Sequence, residues 1–348
     1  MIKFLFLFLI SFNLWGQSYD TGLYWFKDGM TSTKSTGSNI ADFYDQTKST
    51  VIYFHGWQKD TCGNSVCRRE NFMFTDPTNN ASIDTVKQWK TDGRNVGMFY
   101  WNQFADEGEV KDAEAKIWVT NGATKMRFRL PNGTYSEASA PIIPIRDIAY
   151  NEITSKMSSY SGTEIRFAGH SLGSQLAIAV AKKMSDANSK LMPKRLELLD
   201  AFWSKDAKTY LKFTDGTMST TCDKPTTKTN WPGEIGRCYI SRMIAKNNIA
   251  VTWYKTSAIG DVGVGDSNSA LRPIIVFQNC ASPWWTATQQ TPKHIWAKNL
   301  YFWSKIVPDN AKIYSYANTP TSKVLLNMKK TYNQDTNSKP NPTDDTYR

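Results

Sequence analysis

The stretch of this sequence richest in chemistry is Gly169-His170-Ser171-Leu172-Gly173. It fits the pattern Gly-x-Ser-x-Gly, and its neighbours supply the right setting. A strand candidate, Glu164 to Ala168, precedes it, and a helical stripe of Leu176, Ala177, Val180, Ala181 and Met184 follows it. A tight strand-to-helix turn strains the serine backbone and lifts the hydroxyl clear of the sheet. It also leaves amides at the helix start that face a developing oxyanion. Glycines on either side keep Cβ atoms out of the crowded turn. The chemistry such a turn serves is acyl transfer, with Ser171 as the nucleophile.

Serine is a weak nucleophile at neutral pH and needs a base. The sequence offers only 3 histidines. His170 adjoins Ser171 and is expected to point away from its hydroxyl across the turn. His55 ends a strand in Phe54-His55-Gly56-Trp57. That leaves His294, in Pro292-Lys293-His294-Ile295-Trp296, as the base. The base needs an acid to fix its tautomer. Asp200 closes the run Leu196-Glu197-Leu198-Leu199, so it is expected at the carboxyl end of a strand, where open α/β sheets place their sites. Asp261 and Asp266 follow the next strand candidate and are the alternatives. The order Ser, Asp, His is that of α/β-hydrolases. The backbone N–H groups of Trp57 and Leu172 are the expected oxyanion donors. Hydrolysis of this kind calls for no cofactor and no metal, and the cysteine spacings lack the nearby histidines of a zinc site.

Strand-like runs alternate with helical patterns, which predicts an α/β fold: a mostly parallel central sheet flanked by helices, with loop insertions near the active site. The strand candidates are Thr50 to Phe54, Asn95 to Trp101, Glu164 to Ala168, Leu196 to Leu199 and Ile249 to Tyr254. Helices are expected over Ser82 to Lys90, along the stripe Ile145, Ile148, Ala149, Ile153 and Met157, and along Trp296, Leu300, Trp303 and Val307. The turn-rich stretch from Asp200 to Asn248 reads as loops over the sheet.

The chain of 348 residues is long enough for one large domain, and 40% hydrophobic against 21% charged residues excludes a disordered chain. Lys3 and the apolar run Phe4 to Ile10 read as a secretory signal peptide over residues 1–16. An α/β-hydrolase domain over 17–330 and a polar, disordered tail over 331–348 complete the expected organisation. The expected location is outside the cytoplasm, extracellular or periplasmic. There thiols tend to pair, and proximity suggests Cys62 with Cys67 and Cys222 with Cys238, leaving Cys280 over. The net charge of +11 is scattered in doublets and favours no nucleic acid.

With these segments in hand, the chain resembles the pancreatic-lipase-like family. Phe54-His55-Gly56-Trp57 is similar to that family's His-Gly-Phe oxyanion loop, and Gly169-His170-Ser171-Leu172-Gly173 matches its nucleophile motif. Leu198-Leu199-Asp200-Ala201 is similar to its Leu-Asp-Pro-Ala segment, with Ala in place of Pro after the acid. His294, followed by Tyr301-Phe302-Trp303, is similar to its catalytic histidine and the helix after it. The resemblance spans about Thr50 to Val307 and is specific at those motifs. It implies a lipid ester as substrate, met at a lipid–water interface, with peripheral contact to a membrane or lipid droplet. The family's lid is a disulfide-bounded loop shortly before the histidine; here Cys280 falls there without an obvious partner in the sequence, which implies an altered lid. Trp284-Trp285 in the same stretch are either exposed to touch lipid or a buried pair.

Overall fold

Alternation along the strands decides which side chains meet. The computed structural model describes residues 18–211, 231–261, 263, 265–308, 315–335, 342 and 346–348. The expected signal peptide and Cys222 lie outside the described residues. One sheet organises the rest. Its strands in chain order are β1 (Gly22–Phe26), β2 (Ser32–Lys34), β3 (Thr50–Phe54), β4 (Asn95–Tyr100), β5 (Ile165–His170), β6 (Arg195–Leu199), β7 (Ala250–Lys255), β8 (Val276–Asn279), β9 (Thr331–Asp335) and β10 (Thr346–Tyr347). They lie side by side in the order β10-β9-β8-β7-β6-β5-β3-β4-β1-β2. Every pairing from β4 to β9 is parallel, and antiparallel pairs close both edges. This is the α/β-hydrolase fold.

Parallel strands are covered on both faces, so they carry inward side chains on both. One face presents Ile52, Phe54, Phe167, Leu196, Leu198, Val251 and Trp253, all buried. These side chains share a core with helices α1 (Val110–Trp118), α2 (Ile145–Lys156), α3 (Leu172–Asp186) and α4 (Pro232–Asn247). The opposite face presents Val51, Tyr53, Ala168 and Tyr254 to α5 (Gln290–Trp303). It also buries charge: Arg195 pairs with Glu197 at 2.5 Å, both fully buried. Arg166 and Arg195 donate to the carbonyls of Ala317 and Thr319. The alternation in Arg195-Leu196-Glu197-Leu198 therefore separates a dry face from an ionic one.

The chain runs from β3 to β4 on one side and later returns to place β5 on the other side of β3. The carboxyl ends of β3 and β5 thus flank a topological switch point, where α/β sheets bind ligands.

Several expectations change here. Ser82 to Lys90 is not one helix: Ser82–Asp84 pairs antiparallel with Met73–Thr75, and the helix is Lys87–Thr91. Asp84 accepts the amides of Val86 and Gly29, which ends the strand and delays the helix. The stretch before Asn248 holds a helix of 16 residues, α4, opened by Pro232 and closed by Asn248 in the left-handed region (φ 52°). Its glycines and proline hide the periodicity of Ile235, Ile240 and Met243. The tail at 331–348 contributes β9 and β10; β9 pairs with β8 by backbone and buries Tyr332 as its one large apolar group. An edge strand stabilised by ladder bonds needs little apolar alternation, so its composition reads as disorder. Cys62 and Cys67 form the expected disulfide, Cys238 is disulfide-bonded, and Cys280 is buried.

Candidate active site

The turn at Ser171 is built by exclusion. β5 runs straight into α3, and Ser171 between them has φ 55° and ψ −125°, a region that residues with a Cβ rarely adopt. The turn closes because three neighbours lack side chains. A Cβ on Gly173 would lie 2.0 Å from the Phe54 carbonyl oxygen, and one on Gly169 would lie 2.4 Å from the Gly173 oxygen. A Cβ on Gly56 would lie 2.7 Å from that of Ser171. Gly56 thus lets the loop after β3 pass directly against the serine, carrying Trp57 with it. Neither the Trp57 nor the Leu172 amide has a hydrogen-bond acceptor among the described residues. Both are available to an oxyanion. The Trp57 indole donates to the Glu107 carbonyl at 2.8 Å, which fixes the loop from outside.

His55 is structural. It is fully buried, Trp101 N–H donates to its Nε2 at 3.0 Å, and its Nδ1 lies 2.9 Å from the Gly56 carbonyl. The two contacts together require Nδ1–H as the donor, so the ring is neutral and ties the Trp57 loop to the end of β4. Burial lowers its pKa accordingly.

Asp200 stands at the carboxyl end of β6, as its position in the sequence implies. It too is left-handed (φ 43°), a conformation that aspartate tolerates. The ladder continues one step past the strands: Ser171 N–H donates to Leu199 and Asp200 N–H to Tyr254. Asp200 Oδ2 lies 2.7 Å from His294 Nδ1. The same oxygen accepts the Ser257 hydroxyl, while Oδ1 accepts the amides of Thr256 (3.0 Å) and Ser257 (3.2 Å). Burial works against its charge, but the hydrogen bonds from His294 and Ser257 outweigh it and hold the carboxyl below its ordinary value. Asp261, by contrast, pairs with Lys255 at 2.7 Å, and Asp266 receives Asn268 N–H at 3.0 Å; neither is the partner of His294.

His294 lies on the second turn of α5, and His170 holds it in an unexpected way. The His170 Nε2 is 2.9 Å from the His294 carbonyl oxygen, and the two rings are 4.5 Å apart. His170 thus props the helix that carries His294. A carbonyl only accepts, so Nε2 carries the proton. Burial, then the proximity of His294, drives the His170 pKa down to about 3.

Ser171 and His294 line one cleft of about 520 Å³, together with Trp57, Phe202, Ile259 and Lys298. The Ser171 hydroxyl has no hydrogen bond among the described residues and faces the cleft. Ser257, Gln290 and Glu70 escaped the sequence reading. The usable signal was register: β6 and β7 pair Leu199 with Tyr254, so the residues just past each strand must meet. Trp284 and Trp285, candidates for lipid contact, are half-buried; Trp284 packs on Phe74 and Trp296, and its indole donates to Thr78 at 2.9 Å.

A scan against protein-family models gives no match, and neither does a search of curated proteins. Among solved structures, carboxyl esterase 2 of the mycorrhizal fungus Tuber melanosporum is 12% identical, with a TM-score of 0.29 over 82% of this chain and 84% of that one. The acylaminoacyl peptidase of Pyrococcus horikoshii is 11% identical, with a TM-score of 0.34 over 81% of this chain and 40% of that one. The iron-lacking apo form of ESTFA is 16% identical, with a TM-score of 0.25 over 60% of this chain; the chain spans 57% of its length. Likenesses this distant leave the function to be read from the chain's own site.

Proposed function

We propose that the chain is a secreted serine hydrolase of the pancreatic-lipase-like type, cleaving carboxylic esters of lipids. The observation that carries this reading is the 2.7 Å contact between His294 and Asp200 in a cleft that also exposes Ser171 on a left-handed turn. In the proposed cycle, Ser171 Oγ attacks the ester carbonyl carbon as His294 Nε2 takes its proton. Asp200 keeps the other proton on Nδ1 and stabilises the imidazolium. The amides of Trp57 and Leu172 receive the oxyanion. The C–O bond to the alcohol then breaks, and His294 returns the proton to the leaving oxygen. Water, deprotonated by His294, attacks the acyl-enzyme and releases the fatty acid. No cofactor takes part. The apolar walls at Phe202 and Ile259 suit an acyl chain, and the disulfide suits an oxidising compartment.

An organophosphonate probe should label Ser171 stoichiometrically, read by mass spectrometry of the modified peptide. An unlabelled, folded protein would mark a non-catalytic lipid binder instead. Hydrolysis of long-chain triacylglycerol, phosphatidylcholine and a soluble short-chain ester then separates lipase, phospholipase A1 and plain esterase. Activity on the soluble ester alone, with no gain at an interface, counts against the lipid reading.

A further inference from the structure

The cleft has two chemically different ends, and α5 is the ruler between them. Thr291, the adjacent pair His294 and Ile295, and Lys298 recur every three to four residues on this helix and share its cleft-facing side. At the start of the helix, Gln290 Oε1 accepts the Ala258 amide at 2.6 Å, which places Ile259 there. Two turns on, about 12 Å along the axis, Lys298 Nζ donates to the Asn71 carbonyl at 2.8 Å and lies 3.6 Å from Glu70 Oε2. His294 sits between. Ile259 thus lies toward one end and Lys298, with Glu70 and Gln58, toward the other, and Phe202 is part of the apolar lining.

The polar end is rigid. Glu70 Oε1 accepts Gln58 Nε2 at 2.5 Å and its Oε2 accepts the Tyr53 hydroxyl at 3.0 Å, while its backbone carbonyl accepts the Tyr100 hydroxyl. Burial opposes the Glu70 charge, yet Lys298 beside it brings the carboxyl down to about 2, so Glu70 is a carboxylate at neutral pH. Each Glu70 oxygen keeps a lone pair, and the Lys298 ammonium has donors to spare beyond its hydrogen bond to the Asn71 carbonyl. A fixed donor beside a fixed acceptor matches a hydroxyl, which can accept from one and donate to the other. The leaving alcohol receives its proton from His294, so the alcohol half of an ester lies on the His294 side of the carbonyl carbon held at Ser171, and the acyl chain leads away from it.

We propose that Glu70, Lys298 and Gln58 form the subsite for the alcohol half of the substrate and select esters whose alcohol carries free hydroxyls, a glycerol-type polyol. The acyl chain then lies against Phe202 and Ile259. This rests on the ester-hydrolase reading above and narrows it to partial glycerides over esters of plain alcohols.

The test uses 1-octanoylglycerol and propyl octanoate, which share the acyl chain and the three-carbon alcohol and differ in two hydroxyls. Below their aggregation thresholds, the full chain should favour the glyceryl ester in kcat/KM by about tenfold or more, the discrimination that hydrogen bonds to charged partners give. Lys298→Met should bring the ratio close to one, and Lys298→Arg should keep part of it. Glu70→Gln is the second variant if Lys298→Met does not fold, with the same expected loss of preference. A ratio near one in the unaltered protein overturns the subsite, as does a ratio unmoved in the folded variants. Labelling of Ser171 by an organophosphonate, run in parallel, separates the two failures: labelling without preference sinks the subsite alone, and no labelling sinks the hydrolase reading with it.

Discussion

The nucleophile turn and the histidine helix reach the same cleft by opposite means. The turn at Ser171 is held by exclusion, through Gly56, Gly169 and Gly173, each placed where a Cβ would strike backbone or Ser171 itself. It sits on the dry face, where α3 is buried along almost its whole length. Helix α5 lies on the opposite face and buries Trp296, Leu300, Tyr301 and Phe302 in its apolar cluster. Its cleft side is fixed by polar bonds: His170 to the His294 carbonyl, Gln290 to Ala258, Lys298 to Asn71, and His294 itself to Asp200. Steric placement is stiff and insensitive to pH. Polar placement is directional, and part of it titrates. Ser171 is therefore placed by contact, whereas His294 is placed by bonds that depend on orientation.

The comparison is broken most completely at the reacting atoms. Ser171→Ala and His294→Ala should each lower kcat by about ten-thousandfold or more. Ser171→Ala should keep its circular dichroism and melting temperature, whereas His294→Ala should melt lower because buried Asp200 loses a partner. Activity in a folded Ser171→Ala protein removes the assignment altogether. Next comes the steric arm. Gly173→Ala puts a Cβ 2.0 Å from the Phe54 oxygen, so β3 and α3 must separate. We expect a loss of about 1–3 kcal/mol of stability and a further fall of roughly a hundredfold in kcat from displaced groups, read by denaturant titration and by initial rates. A neutral outcome would show that the turn is not held by close approach.

How far the sequence alone led depends on the same division. Exclusion leaves a local signature: Gly-x-Ser-x-Gly between a strand and a helix is visible because all its parts are contiguous. Asp200 and His294 were legible by position and by the scarcity of histidines. The polar scaffold was not. Ser257, Gln290, Glu70 and Lys298 are ordinary polar residues until β6 pairs with β7 and α5 lies across the sheet, bringing partners 227 positions apart, such as Lys298 and Asn71, into contact. His170 was read by its distance from Ser171, whereas its role lies toward a carbonyl 124 positions away. α4 was missed because Pro232, Gly233 and Gly236 break the apolar rhythm, and β9 because a strand bonded by its backbone at a sheet edge carries little hydrophobic pattern.

The polar arm is tested at His170. Its imidazole is neutral in the folded protein, with a pKa of about 3 against an ordinary 6.5. The unfolded chain binds a proton there below about pH 6.5 and the folded chain does not. Stability from this group is thus complete above that pH and is lost progressively as the pH falls toward 3. His170→Ala should therefore flatten the acid side of the melting-temperature profile between about pH 6 and 4. Freed from its prop, the His294 carbonyl should shift, and kcat should drop by roughly ten- to a hundredfold at every pH. A merely space-filling His170 would change the profile in the same way, because burial alone lowers its pKa, but its loss would leave kcat unchanged.

The smallest effect sharpens the steric side. Ser171 holds φ 55° and ψ −125° with a Cβ attached, a strain of about 1–3 kcal/mol carried only because its surroundings fix it. Ser171→Ala keeps that Cβ and Ser171→Gly discards it. Both variants are inactive, so stability alone separates them. Glycine gives back roughly 0.5–1 kcal/mol through the greater freedom of the unfolded chain, and the net gain over alanine should be about 1 kcal/mol, or about 1–2 °C in melting temperature for a chain of this size. Equal stability of the two would mean that the serine backbone is at ease where it stands. The contrast between a turn forced into place and a helix bonded into place would then lose its physical basis.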